Sequence, residues 1–232
     1  MPNLSERVIV NLNILKIKAI PTLFWSSSKT LTIKPSPISV LFLILGLFLF
    51  GLGEALLISA GVGVSPWTVF AQGISKNTDW SIGVSTAIIS SFVLFLWIFL
   101  KQIPGQGTIL NIIIISIVLD ISLPYLPNFE TLSFKILMAA TGVLITGFGG
   151  AIYLIANLGP GPRDGLMTGL QRLTNYPIAI VRGSIEITVV MIGALLGGVV
   201  GIGTLFFAFG IGPSLALSIL LLTKLFGKNS VD

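Results

Sequence analysis

The 232-residue chain has no cysteine and no histidine, and only 9% of its residues are charged. Without cysteine there is no disulfide, thiolate nucleophile or cysteine-ligated iron–sulfur cluster. Without histidine the commonest zinc ligand and the usual neutral-pH base are missing. Membrane proteases and metal-dependent hydrolases therefore fit poorly. No serine–base constellation is evident either, so neither an enzyme nor a cofactor or metal is expected. The scarcity of charge also excludes a soluble domain, which carries about a quarter charged residues. What is present is apolar: 54% hydrophobic side chains and a mean hydropathy of +1.03.

A bilayer core needs about 20 apolar residues per helix. Windows that satisfy this lie at 38–60, 82–100, 107–126, 134–156, 178–196 and 203–225. The expected fold is an all-α polytopic membrane protein of about six transmembrane helices. Residues 1–37 are expected as a basic tail, either associated with the membrane surface or a disordered extension, and 227–232 as a C-terminal tail. The first residues do not resemble a secretory signal, because Asn11, Asn13, Lys16 and Lys18 interrupt the apolar run. The net charge of +5 is scattered beside apolar spans rather than gathered on one face. The expected partner is thus the lipid bilayer and not nucleic acid, with a homodimer left open.

Shifting the chain by 96 positions lays residues 46–120 over 142–216 without a gap. Gly46, Gly51, Gly53 and Ala55 fall on Gly142, Gly147, Gly149 and Ala151; Ala60, Gly63, Pro66 and Gly73 fall on Ala156, Gly159, Pro162 and Gly169. Gly105, Gly107 and Thr108 fall on Gly201, Gly203 and Thr204. Apolar segments align easily, but not at matched glycines and prolines. Two three-span units are expected, 38–127 and 128–226. Three is odd, so the second copy should sit upside down relative to the first, as in many secondary transporters. The cations agree. With the N-terminus cytoplasmic, eleven of the thirteen (Arg7, Lys16, Lys18, Lys29, Lys34, Lys101, Arg163, Arg172, Arg182, Lys224, Lys228) lie inside and only Lys76 and Lys135 outside. A bacterial inner-membrane protein with both termini cytoplasmic is expected.

Two linkers, 61–81 and 157–177, open with a turn and continue into short helical patterns, Pro66 to Ser75 and Pro162 to Leu173, expected as half-helices or surface helices. Proline sits at the first helical position of each, where its missing N–H costs nothing. Ser65 is expected as an N-cap, and Asp164 in the first turn, where a carboxylate answers free backbone donors. Those donors and Arg163 could hold an anionic solute, with Ser65, Pro66 and Thr68 in the matching first linker. The competing expectation is a tight turn with Arg163 anchored to lipid phosphates. Inside the spans, Arg182 and Glu186 share a helix face and are expected to pair, as a structural bridge or a substrate site. Glu54 is a candidate proton acceptor, as is Glu186. The repeat counterpart of Glu54 is Gly150. Asp120 is expected as an interfacial carboxylate, and Trp80 and Trp97 as interfacial anchors. The step Gly212-Pro213 is expected to kink the last span, through a cavity or through packing. Gly193, Ala194, Gly197 and Gly198 are expected at a close helix contact.

The segments Gly51-Leu-Gly-Glu-Ala55, Ser65-Pro-Trp67, Gly159-Pro-Gly-Pro-Arg-Asp164-Gly-Leu166, Leu196-Gly-Gly198, Gly201-Ile-Gly-Thr204 and Ile211-Gly-Pro213, with Arg182 and Glu186, carry a resemblance. Together, over about 40–220, they resemble the YczE-type family of bacterial membrane proteins, related to the YitT group. The resemblance implies the fold and topology but no substrate or reaction. It also implies an acidic residue at the position of Thr68, so here Asp164 is the only carboxylate of that matched pair of linker positions and symmetric sites are put in doubt. Two functions remain in view. The first is a small secondary transporter or permease for a small, anionic solute. The second is a non-transporting scaffold or regulatory membrane protein.

Overall fold

The computed structural model describes residues 20–227, and among them the only regular structure is helical. In chain order the helices are α1 (Pro37–Ala60), α2 (Pro66–Asn77), α3 (Ile82–Leu96), α4 (Gln106–Ser122), α5 (Leu132–Ala156), α6 (Pro162–Thr174), α7 (Ile178–Leu195) and α8 (Ile202–Phe226). A 3-10 turn, Leu123–Tyr125, extends α4. Five of these segments, α1, α4 with its 3-10 turn, α5, α7 and α8, are long and apolar enough to cross a membrane. The count is six if α2 and α3, bent by 117°, form one broken span. The protein is an all-helical membrane protein. Arg7, Lys16, Lys18 and Lys228 of the charge count lie outside the described residues.

Local chemistry sets the ends. Ser36 caps α1 by accepting from the Ser39 amide at 3.1 Å, Pro37 occupies its first turn, and Gly61 closes it in the left-handed conformation. Asp120 proves to be a cap rather than a merely interfacial carboxylate. It accepts from Ser81 Oγ at 2.6 Å and from the Gly83 amide at 2.8 Å, tying the start of α3 to the end of α4. The second expected span is shorter than 82–100: α3 stops at Leu96, after only 15 residues. Trp97 is not an interfacial anchor. It is 1% exposed, donates from Nε1 to the Pro162 carbonyl at 2.9 Å, and lies over Gly165, where any Cβ would collide with its ring. Trp80 is half exposed, as an anchor would be. The last span runs as one helix through Pro213.

The core is made by small residues. Gly46 of α1 lies against the backbone of Gly149 and Tyr153 in α5, and Gly53 lies against Gly142 and Thr146. Such close approach replaces the hydrophobic driving force that is missing in lipid. Since 46 and 53 become 142 and 149 on adding 96, each glycine meets the counterpart of the other. The same exchange recurs at the starts of α4 and α8. The Gly107 amide donates to Leu158 O at 2.7 Å, and the Gly203 amide donates to Val62 O at 2.8 Å. Gly63 (φ +111°) and Gly159 (φ +117°) make those approaches in a conformation that other residues resist. It recurs a third time where Trp97 lies on Gly165 while Gly193 lies on Val69 and Phe70. Gly193 is thus in the close contact its surroundings predict.

Not every seam follows this exchange. α3 packs on α4, but the corresponding α7 and α8 are barely in contact. Only 17% of the α7 window is buried, against 61% of α5. Residues 20–36 close one end of the bundle. Trp25 is fully buried and stacked on Phe42 at 4.4 Å, and Ser26 Oγ donates to Ile155 O at 2.6 Å, satisfying a carbonyl in the last turn of α5.

Candidate functional site

The turn Gly61–Ser65 folds the start of α2 back against α1. Ser65 occupies the N-cap position, yet its hydroxyl makes no cap bond. It donates to Glu54 Oε2 at 2.7 Å, as does Thr68 Oγ1, also at 2.7 Å, and the two hydroxyls lie 2.9 Å apart. Glu54 is 1% exposed, and its other oxygen, Oε1, is buried with no partner among the described residues. A charged side chain so placed is expensive and requires compensation. The hydroxyls supply part of it, and Arg163 is the cation whose field reaches the carboxylate. Thr68 therefore does not leave the first linker without a carboxylate. Glu54 delivers one from the neighbouring helix to the same place.

The second linker is built from the other residue of each pair. Asp164 stands where the offset of 96 places Thr68, and Gly150 stands where it places Glu54. Asp164 lies in the first turn of α6, and its hydrogen-bond partner is the Tyr153 hydroxyl, which donates to Oδ2 at 2.9 Å. Gly161, at the N-cap, has no side chain to reach it. Each linker thus meets one carboxylate: from the span in the first half, from the half-helix in the second.

Between the two linkers lies a cavity of about 120 Å³, room for several waters or one small anion. Ser65, Arg163, Asp164, Arg182 and Glu186 all line it, so the structure gathers residues from three separate elements into one site. Pro66 and Thr68 stand behind Ser65 rather than in the lining, and Glu54 reaches the cavity only through Ser65. Arg182 Nε and Glu186 Oε1 pair at 2.8 Å, as their spacing predicts. Arg163 is different. It is half-buried, makes no ion pair or hydrogen bond among the described residues, and lies over the Trp67 ring at 5.2 Å. Its charged neighbours are Glu54, Asp164 and Glu186. It lines the cavity.

Sequence reasoning missed Tyr153, Trp67, Thr86, Ser90 and Asn111, which also line the cavity. The repeat held the signal for three of them. Trp67, Thr86 and Ser90 are the positions 96 before Arg163, Arg182 and Glu186. The apolar wall comes from α5 and α8, with Gly147, Gly150, Phe207, Ile211 and Leu215.

A family model described as "Family of unknown function (DUF6198)" matches residues 38–219. The chain is 42% identical over 197 residues to an uncharacterized protein of Haemophilus influenzae, covering 85% of this chain and 89% of that protein. It is 30% identical over 176 residues to the uncharacterized membrane protein YczE of Bacillus subtilis, covering 75% and 82%. It is 27% identical over 165 residues to the uncharacterized protein YyaS of the same organism, covering 69% and 82%. No solved structure matches it.

Proposed function

The chain belongs to the DUF6198 family, of the YczE type, and from that premise we propose that it is a small secondary transporter that moves an anionic solute together with a proton. The observation that carries this reading is Arg163: a cation without a partner bond among the described residues, held at a cavity that a buried, half-satisfied carboxylate reaches through Ser65. Counting charges supports the coupling. Arg182 and Glu186 cancel, which leaves Arg163 between Glu54 and Asp164. An incoming anion adds one negative charge to a site that has no spare positive one. A proton on Glu54 removes that excess. The proton goes to Oε1, which has no bond to break, while Oε2 keeps both hydroxyl donors. Arg163 then serves the anion instead of Glu54.

Alternating access comes from the inverted-topology repeat, with both termini cytoplasmic in the bacterial inner membrane. The exchanged glycine contacts support the repeat. The unequal seams support two states. α3 is packed on α4 while α7 barely touches α8, which we read as one closed and one open seam. Exchanging the two seams turns the same cavity to the opposite face.

The test is uptake of labelled small carboxylates and phosphate monoesters into proteoliposomes. An inward proton gradient should accelerate at least one of them over protein-free vesicles. A whole panel entering no faster than into empty vesicles contradicts the proposal. Because the chain is naturally free of cysteine, single-cysteine labelling tests the orientation: Asn128→Cys should react with an impermeant reagent from outside, and Lys34→Cys only after lysis.

A further inference from the structure

An apolar groove of about 560 Å³ adjoins the polar cavity. The same four helices, α2, α3, α6 and α7, contribute to both spaces, with different faces. On α3, Thr86 and Ser90 line the cavity while Ile89, Phe92 and Val93 line the groove; on α7, Arg182 and Glu186 line the cavity while Ile185 and Val189 line the groove. Trp67 belongs to both walls. The groove is open along one side, where Ile88 and Phe92 are exposed to whatever surrounds the helices. In a membrane protein that surrounding is acyl chain.

The wall between the two spaces is chemically unusual. Trp67 is 6% exposed, and its indole N–H, which can only donate, is buried with no acceptor among the described residues. Arg163 lies over that same ring with no hydrogen-bond partner among the described residues. Two residues with unused donors therefore stand where the polar cavity adjoins the apolar groove. Buried donors in native proteins find partners, so the Trp67 N–H beside the Arg163 guanidinium points to an acceptor supplied by a ligand. A free inorganic anion explains the donors but not the groove. A neutral chain explains the groove but not the donors.

We propose that the solute is an anion bearing a single acyl chain, its carboxylate or phosphate head in the cavity against Arg163 and Trp67 and its chain in the groove between α3 and α7. This rests on the transport reading and names its substrate class. Basic pockets between membrane helices are known to hold lipid head groups. Here the head space is small, which selects a compact head over one carrying a large polar alcohol.

The probe is radiolabelled oleoyl lysophosphatidic acid, bound to the full-length protein in phosphatidylcholine nanodiscs. Saturable binding is expected, and neither monoolein nor inorganic phosphate at equal concentration should displace it. Affinity should fall about tenfold or more in Arg163→Gln, which loses a charge-assisted bond. It should fall similarly in Ile185→Trp, which fills the groove without touching the cation, and stay unchanged in Arg172→Ala. Equal displacement by monoolein means the groove takes chains without regard to the head; equal displacement by phosphate means a free-anion site. Either result overturns the proposal, as does the absence of saturable binding by the wild-type protein. The two readings fail separately. Saturable, Arg163-dependent binding without movement of the lipid across vesicles leaves the site standing and removes transport. Proton-driven flux of short anions without lysolipid binding does the reverse.

Discussion

Arg163 of α6 lies 5.2 Å above the ring of Trp67 of α2, and the two residues hold the same position in their respective linkers. In the inverted repeat that we propose, two equivalent positions in contact would straddle the axis relating the halves, which would place the cation assigned to the solute between them. The stacking holds the guanidinium without consuming its donors, which a carboxylate partner would do.

Loss of that stacking should weaken solute binding and leave the fold intact. A cation–π contact is worth about 0.5–2 kcal/mol. Trp67→Leu should raise the half-saturation concentration for uptake by roughly two- to thirtyfold, and Trp67→Phe by less. Equal values for wild type and Trp67→Leu would show that the ring does not position Arg163.

The clamp around Glu54 should be visible in thermal unfolding of purified protein. Thr68→Ala and Ser65→Ala each remove one donor and should cost on the order of 1 kcal/mol. Glu54→Ala removes the acceptor of both hydroxyls and should cost about 2 kcal/mol or more. Glu54→Gln retains a carbonyl acceptor and should fall between wild type and Glu54→Ala. A Glu54→Ala protein that melts with wild type would mean the buried carboxylate is not held as described.

Glycines of similar appearance in the sequence should separate into two classes. A Cβ at Gly149 would meet the backbone of Gly46, Leu49 and Phe50, whereas nothing lies within 4 Å of one at Gly183. Gly149→Ala should destabilise by about 1–3 kcal/mol through overpacking. Gly183→Ala should be neutral or stabilising by up to about 1 kcal/mol, because it removes a poor helix former. Denaturant titration in micelles distinguishes them, and equal effects would contradict the packing of α1 on α5.

Much of this was legible in the residues. The spans, the short linker helices and the gathering of Ser65, Arg163, Asp164, Arg182 and Glu186 follow from hydropathy, turn residues and the offset of 96. What escaped was decided by contacts between distant segments. Trp97 looks like an interfacial residue because span ends favour tryptophan, and only Gly165, 68 positions later, provides the notch that buries it. Ser65 looks like a helix cap because its spacing is right. A carboxylate 11 residues earlier competes for its hydroxyl, and a charged acceptor attracts it more strongly than a backbone amide can. Tyr153 gave no signal beyond being an aromatic residue in an apolar helix; its partner Asp164 lies across a turn that sequence spacing does not close.

The unequal seams should exchange during transport. In the cysteine-free background, nitroxide pairs at Phe95→Cys with Ile113→Cys, and at Met191→Cys with Phe209→Cys, report α3–α4 and α7–α8 separately. All four native residues are exposed, so the labels disturb little. As pH is lowered with solute present, the first distance should lengthen while the second shortens. Movement of both in the same direction would contradict an exchange.

The central claim is that one proton on Glu54 offsets the charge of one anion bound at Arg163. The most direct measurement is the pH dependence of solute uptake in proteoliposomes carrying wild type, Glu54→Gln or Arg163→Gln. Acidification outside should accelerate wild-type uptake. Glu54→Gln should transport at a rate that no longer responds to pH, and Arg163→Gln should not transport at any pH. Unchanged acid stimulation in Glu54→Gln, or full uptake by Arg163→Gln, would contradict the account.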